Sequence, residues 1–252
     1  MEPILTTIIA TSGASLLNFL ATKTYNKFTK SNKDFFWREK NVELKKLKPS
    51  YDFEELKKRI RIVVIDDEQS FPLKLFQAEG YAIEHWDKVV TVSYGKLESG
   101  FYDIIILDIK GVATEISKED GLGVLENIKK KNPAQIIIAF SQHSYDLDKT
   151  KFFLQADEYI AKPSDFLNIK NSIDNLITTK FNPTRYIDSL HQLLKNNGLN
   201  DREIKKLDTQ IYKTIKSGNT PKWKEIAEFS KTNGELLKQI ITLGNTILKF
   251  FQ

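Results

Sequence analysis

Short, uninterrupted apolar runs alternate with helically periodic stretches through the middle of the chain. Ile62 to Ile65, Ile104 to Leu107 and Ile136 to Phe140 contain no polar residue, Tyr159 to Ala161 is a shorter run, and Ala82 to His85 supplies a fifth candidate. Apolar runs without polar alternation are what the strands of a parallel sheet look like when helices cover both faces. Between and after them, Phe71 to Glu79, Val89 to Glu98, Leu122 to Lys131, Leu147 to Gln155 and Phe166 to Ile177 carry apolar positions at helical spacing. Strand and helix alternating five times predict a doubly wound α/β domain over residues 61–180, a five-stranded parallel sheet with right-handed crossovers.

The flanks follow a different pattern. Pro3 to Thr22 holds no charged residue over 20 positions, with Ile4, Leu5, Ile8, Ile9, Leu16, Leu17, Phe19 and Leu20 among Thr, Ser, Gly and Asn. Its length suits one membrane span, whereas its dilution by Thr11, Ser12, Gly13 and Asn18 suits a packed or interfacial helix. Lys23, Lys27, Lys30 and Lys33 follow directly, so a spanning helix would leave everything after it in the cytoplasm by the positive-inside rule. No small-residue cleavage site marks the segment as a removed signal peptide. Ser31 to Ile60 reads as a connector with one or two helices, broken at Pro49-Ser50. Residues 1–60 are thus an N-terminal hydrophobic helix and basic connector. After Asn182-Pro183 the pattern is helical only, and residues 181–252 hold three or four helices separated by turn signals at Gly198 to Asp201, Gly218 to Pro221 and Asn233-Gly234.

Composition narrows the chemistry. The chain has 252 residues, 40% of them hydrophobic and 28% charged, which is ordinary for a globular protein and not for a disordered one. The absence of cysteine excludes disulfides, thiolate metal sites and cysteine nucleophiles and suits a reducing, cytoplasmic compartment. The three histidines, at positions 85, 143 and 191, show no metal-ligand spacing. The net charge of +5 is unevenly spread: residues 61–180 hold 14 Lys/Arg against 19 Asp/Glu, and each flank holds 12 against 7. An acidic centre suits a divalent cation. Basic flanks suit nucleic acid, anionic lipid or an acidic partner, or simply solvation.

Ligands of open α/β sheets sit at the carboxyl ends of the strands. Those ends carry Asp66 and Asp67 after the first run, Asp108 after the third, Ser141 after the fourth and Lys162 after the fifth. Three carboxylates gathered in one crevice need a cation among them, and such hard oxygen ligands suit Mg2+. A divalent ion also neutralises charge on a transferring phosphoryl group. A lysine ammonium opposite can pair with Asp108 and then with phosphoryl oxygens, and a serine hydroxyl can rotate to donate to them.

Through Val64-Ile65-Asp66-Asp67-Glu68, Ile105-Ile106-Leu107-Asp108, Ala139-Phe140-Ser141 and Ala161-Lys162-Pro163, about half of the chain resembles the receiver domain of two-component response regulators. The resemblance implies a flavodoxin-like receiver fold with helical N- and C-terminal extensions. It implies that Asp108 is the phosphorylation site, attacking a phosphohistidine on a histidine kinase or phosphotransfer protein. Asp67 and Asp108 would ligate Mg2+ directly, with Asp66 ligating at least through water. Ser141 would move toward the phosphoryl group, Tyr159 would swing inward as it does so, and the Lys162-Pro163 bond would be cis. The chain is then a signalling switch that phosphorylates and dephosphorylates only itself.

Departures from the family pattern are concentrated after Asp108. The loop from Lys110 to Gly121 is longer than usual and lacks the proline common before its glycine. Lys110 and His143 occupy the positions that tune hydrolysis of the acyl phosphate, which predicts slow or altered self-dephosphorylation. For output, the apolar spacing in Gly234 to Leu248, with Lys238 and the following Lys249 as its cations, favours association with a protein partner or a second copy over DNA reading. A degenerate receiver acting by binding alone, and a haloacid-dehalogenase-type phosphatase, are less favoured. The latter would need an aspartate where Lys110 stands.

Overall fold

The computed structural model describes residues 43–142, 150, 153–223 and 234–252. The apolar segment at residues 3–22, the first part of the connector, His143 and most of the helix expected at 147–155 lie outside them. No helix among the described residues is long and apolar enough to cross a membrane.

Five parallel strands, β1 (Arg61–Ile65), β2 (Ala82–Trp86), β3 (Ile104–Leu107), β4 (Ile136–Ser141) and β5 (Glu158–Ala161), form one sheet in the order β2-β1-β3-β4-β5. The three fully apolar runs become the three central strands, and every residue of β3 and β4 is buried. Each such Ile removed from water contributes roughly 1.5–3 kcal/mol, which is why polar residues are confined to the strand ends. Helices α1 (Phe53–Arg59), α2 (Leu73–Ala78), α3 (Thr91–Glu98), α4 (Gly121–Lys131) and α5 (Phe166–Thr179) flank the strands. Two starts differ from the periodicity. Pro72 sits at the N-cap of α2, so Phe71 stays outside the helix. The amide of Val89 donates to the carbonyl of Val112 at 2.7 Å, so α3 begins two residues late.

Three further helices, α6 (Pro183–Asn196), α7 (Asp201–Ser217) and α8 (Gly234–Lys249), complete a compact unit with residues 43–182. Asn182 and Asn200 cap α6 and α7 through their side chains, the second at a turn signal read from the sequence. Leu236, Ile240, Leu243, Ile247 and Leu248 of α8 are buried. The apolar face expected to meet a partner or second copy is therefore filled from within the chain, largely by α6. Gly244 lies so close to the Trp223 indole that a Cβ there would overlap it, and the indole N–H donates to Asn245 Oδ1 at 2.9 Å.

This helical layer meets the sheet at the amino-terminal ends of its strands. Asp103, just before β3, accepts from the Arg61 amide at 2.9 Å and from Lys249 Nζ at 2.6 Å. Asp157, just before β5, accepts from Lys129 Nζ of α4 at 2.6 Å, the Ile137 amide at 3.0 Å and Arg185 Nη2 of α6 at 2.8 Å. Burial works against ionisation of Asp157, but the Lys129 and Arg185 charges outweigh it and hold the carboxyl below its ordinary range. The Phe250 ring, beyond α8, packs on Phe181 and Tyr186.

Candidate functional site

β1 and β3 are neighbours in register, Ile65 facing Leu107, so the residues that follow them, Asp66 with Asp67 and Asp108, emerge side by side. Lys162 follows β5, with β4 between it and β3. Its amide donates to the Ser141 carbonyl at 3.0 Å, and its peptide bond to Pro163 is cis. The side chain runs above the Phe140 ring, 4.9 Å from ammonium to centroid, and reaches both acids. Nζ donates to Asp66 Oδ1 at 2.5 Å and to Asp108 Oδ2. The Lys162 side chain is 1% exposed and that of Asp66 fully buried, so each charge depends on the other for its ionised state.

The two carboxylates respond differently to this environment. Burial disfavours the charge on Asp66, but Lys162 and the hydrogen bonds from Ser70 and the Glu68 amide prevail, leaving its pKa below the ordinary value. For Asp108 burial prevails over Lys162 and the amides of Ile109 and Lys110, leaving its pKa raised. Burial would also strip the proton from Lys162, yet Asp108 and Asp66 together keep its pKa raised.

Asp67 is exposed. One oxygen from each of Asp66, Asp67 and Asp108 lies within 4.8 Å of the others. Three convergent carboxylate oxygens, one of them open to solvent, are the donor set a hard divalent cation such as Mg2+ takes. Ser141 is buried beside Lys162, and Tyr159 is half-buried with its hydroxyl donating to the Ser141 carbonyl at 3.1 Å and its ring edge-on to Phe153. The structure thus brings Asp66, Asp67, Asp108, Ser141, Tyr159 and Lys162 to one end of the sheet. Lys110 is exposed beside them.

Three contributors were not singled out by the strand-end reading. Ser70 binds Asp66 through both its amide and hydroxyl. Glu68 lies 3.7 Å from Lys162 Nζ and accepts from Gln142 Nε2 at 2.6 Å. Asp120, at the far end of the long loop, accepts from the amides of Gly111 at 2.6 Å and Ala113 at 2.5 Å. The Asp-Gly pair at 120–121 is the available signal for the last.

Comparison with known proteins points to one family. The family model described as the response regulator receiver domain matches residues 62–174. Among solved structures, a CheY-like receiver domain protein from Methanospirillum hungatei JF-1 is 22% identical, covering 48% of this chain and 95% of its own, with a TM-score of 0.40. A two-component response regulator from Clostridium difficile is 20% identical, with coverages of 48% and 97% and a TM-score of 0.39. The response regulator TrrA from Thermotoga maritima, solved in complex with Mg(2+)-BeF, is 33% identical, with coverages of 46% and 98% and a TM-score of 0.37. No curated protein matches the chain. Residues 62–174, built on a five-stranded parallel sheet, belong to the response regulator receiver domain family.

Proposed function

We propose that Asp108 accepts a phosphoryl group from the phosphohistidine of a histidine kinase or phosphotransfer protein, and that the chain is a phosphorelay switch whose only covalent chemistry is on itself. The observation that carries this reading is Lys162 Nζ buried between Asp66 and Asp108 with Asp67 alongside. In the transfer a carboxylate oxygen of Asp108 attacks phosphorus and the P–N bond breaks. The imidazole keeps the electron pair and an acyl phosphate forms. Lys162 holds Asp108 ionised as nucleophile and pairs with the phosphoryl oxygens afterwards. Asp66, Asp67 and Asp108 would hold Mg2+, which supplies neutralisation of the charge on the phosphoryl oxygens. The Ser141 hydroxyl would donate to the new phosphoryl group, drawing Tyr159 with it.

For output, the reading is regulated association with a protein or a second copy. DNA reading is disfavoured because Lys249 is committed to Asp103 and little on α8 is left to contact bases. With α8's apolar face filled, association would use the face formed by the receiver's fourth helix, the one expected at 147–155, together with β5 and α5. The site of action is the cytoplasm, whether residues 3–22 span a membrane or not. Incubating the full chain with acetyl phosphate and Mg2+ and measuring intact mass tests the phosphoacceptor. Gain of one phosphoryl mass, absent without Mg2+ and in Asp108→Asn, is expected. An unchanged mass in folded wild-type protein would favour a receiver that signals by binding alone.

A further inference from the structure

The long loop after Asp108 runs beside the carboxylates and is pinned at one point. Gly111 has φ +80°, and a Cβ there would overlap Asp67 Oδ2 at 2.2 Å. The backbone of Gly111 therefore lies directly against the most exposed of the three acids, at a contact only glycine allows. What keeps it there is Asp120. Its two carboxylate oxygens accept separately from the amides of Gly111 and Ala113, closing a loop of backbone from Gly111 to Asp120. Val112, between those amides, is buried, and its carbonyl accepts from Val89 at the start of α3. Asp120 itself has φ +54° and ψ −130°, a conformation that a non-glycine residue holds only when its surroundings require it. Gly121, next to it, lies against the Asp108 carbonyl, which a Cβ would overlap. One side chain thus ties together the backbone contacts at two of the three acids.

We propose that Asp120 is a positioning residue of the cation site, acting through Gly111 to hold Asp67, and through Gly121 to hold the turn after Asp108, in the arrangement that a divalent ion needs. This rests on the phosphorelay reading for the presence of that ion, but it assigns a role outside the residues that touch phosphate or metal. A carboxylate is required because two diverging N–H groups must be accepted at once. An asparagine offers one acceptor and presents its NH2 to the other amide.

The test is Mg2+ binding to the full chain by titration calorimetry, in wild type, Asp120→Asn and Asp120→Ala, with melting temperatures in EDTA and in Mg2+. Affinity is expected to fall about tenfold in Asp120→Ala and less in Asp120→Asn, with a smaller Mg2+-induced rise in melting temperature. A loop brace serving only the fold would lower the melting temperature equally with and without Mg2+ and leave the dissociation constant unchanged. That result would overturn the proposal, as would failure of both variants to fold in EDTA. Gly111→Ala keeps the Asp120 carboxylate and crowds Asp67, and is expected to weaken Mg2+ in the same way. Wild-type affinity also separates the two readings: a wild-type chain that binds no Mg2+ sinks the phosphorelay reading and this proposal with it, whereas wild-type binding with unaltered variants sinks this proposal alone.

Discussion

Lys162 is the residue on which the site's charge balance turns. It is the cation buried between Asp66 and Asp108, and removing one partner of a buried ionic set costs roughly 3–5 kcal/mol. Lys162→Met is expected to destabilise the chain by about that amount at neutral pH, measured by denaturant titration, and to lose phosphorylation. Asp108 behaves oppositely, since burial raises its pKa: its ionised form is the disfavoured one, and stability is recovered as pH falls through its folded pKa. Asp108→Asn, which leaves Lys162 its Asp66 partner, is therefore expected to melt higher than wild type in EDTA at pH 7. A lower melting temperature would contradict the assignment of burial as the dominant influence. Asp66 has a depressed pKa, so its contribution is complete above about 3.8 and is lost as pH falls below that toward its folded value. Lys110, exposed beside Asp108, offers a cation where a water-positioning group would serve. The acyl phosphate is expected to outlast seconds, as followed by mass after removal of the donor.

At the scale of elements, the strand tips were legible because their apolar runs end abruptly in Asp, Ser or Lys. A buried parallel strand leaves only its carboxyl end for polar chemistry. Asp120 was not legible in the same way. Its role depends on the path of a loop and on a positive φ, neither of which a hydrophobic pattern encodes. The late start of α3 is another such case, set by a bond from Val89 to Val112 across the loop. The ionic knot at Asp157 joins α4, β4, the end of α5 and α6, and no single segment of sequence points to it. Asp157→Asn would leave Lys129, whose pKa burial already lowers, without its counter-charge. A loss of about 3 kcal/mol is expected in denaturant titration, with hydrogen exchange rising at the α4, β4 and α6 ends of the knot together.

Across the whole molecule, the carboxylate site and the helical layer occupy opposite ends of one sheet. Strands of four to six residues put them roughly 15 Å apart or more along the strand direction. The amphipathic spacing of α8 told which side of that helix is apolar. It did not tell that the matching surface is α6 rather than another protein. Any effect of Asp108 on the helical layer has to pass through elements that reach both ends, among them β3, between Asp103 and Asp108, α4, from Gly121 beside Asp108 to Lys129 at Asp157, and α5, whose end leads directly into α6. A phosphodonor-dependent change in oligomer size by light scattering is accordingly expected to vanish in Asp108→Asn, and its persistence there would disconnect the two ends.

Borohydride reduction of the chain after treatment with acetyl phosphate and Mg2+, followed by peptide mass mapping, locates the phosphoryl group directly, because reduction converts an aspartyl phosphate to homoserine. Homoserine at position 108 alone is the expected result. Homoserine at 66 or 67, or a phosphorylated chain with none at all, would contradict it.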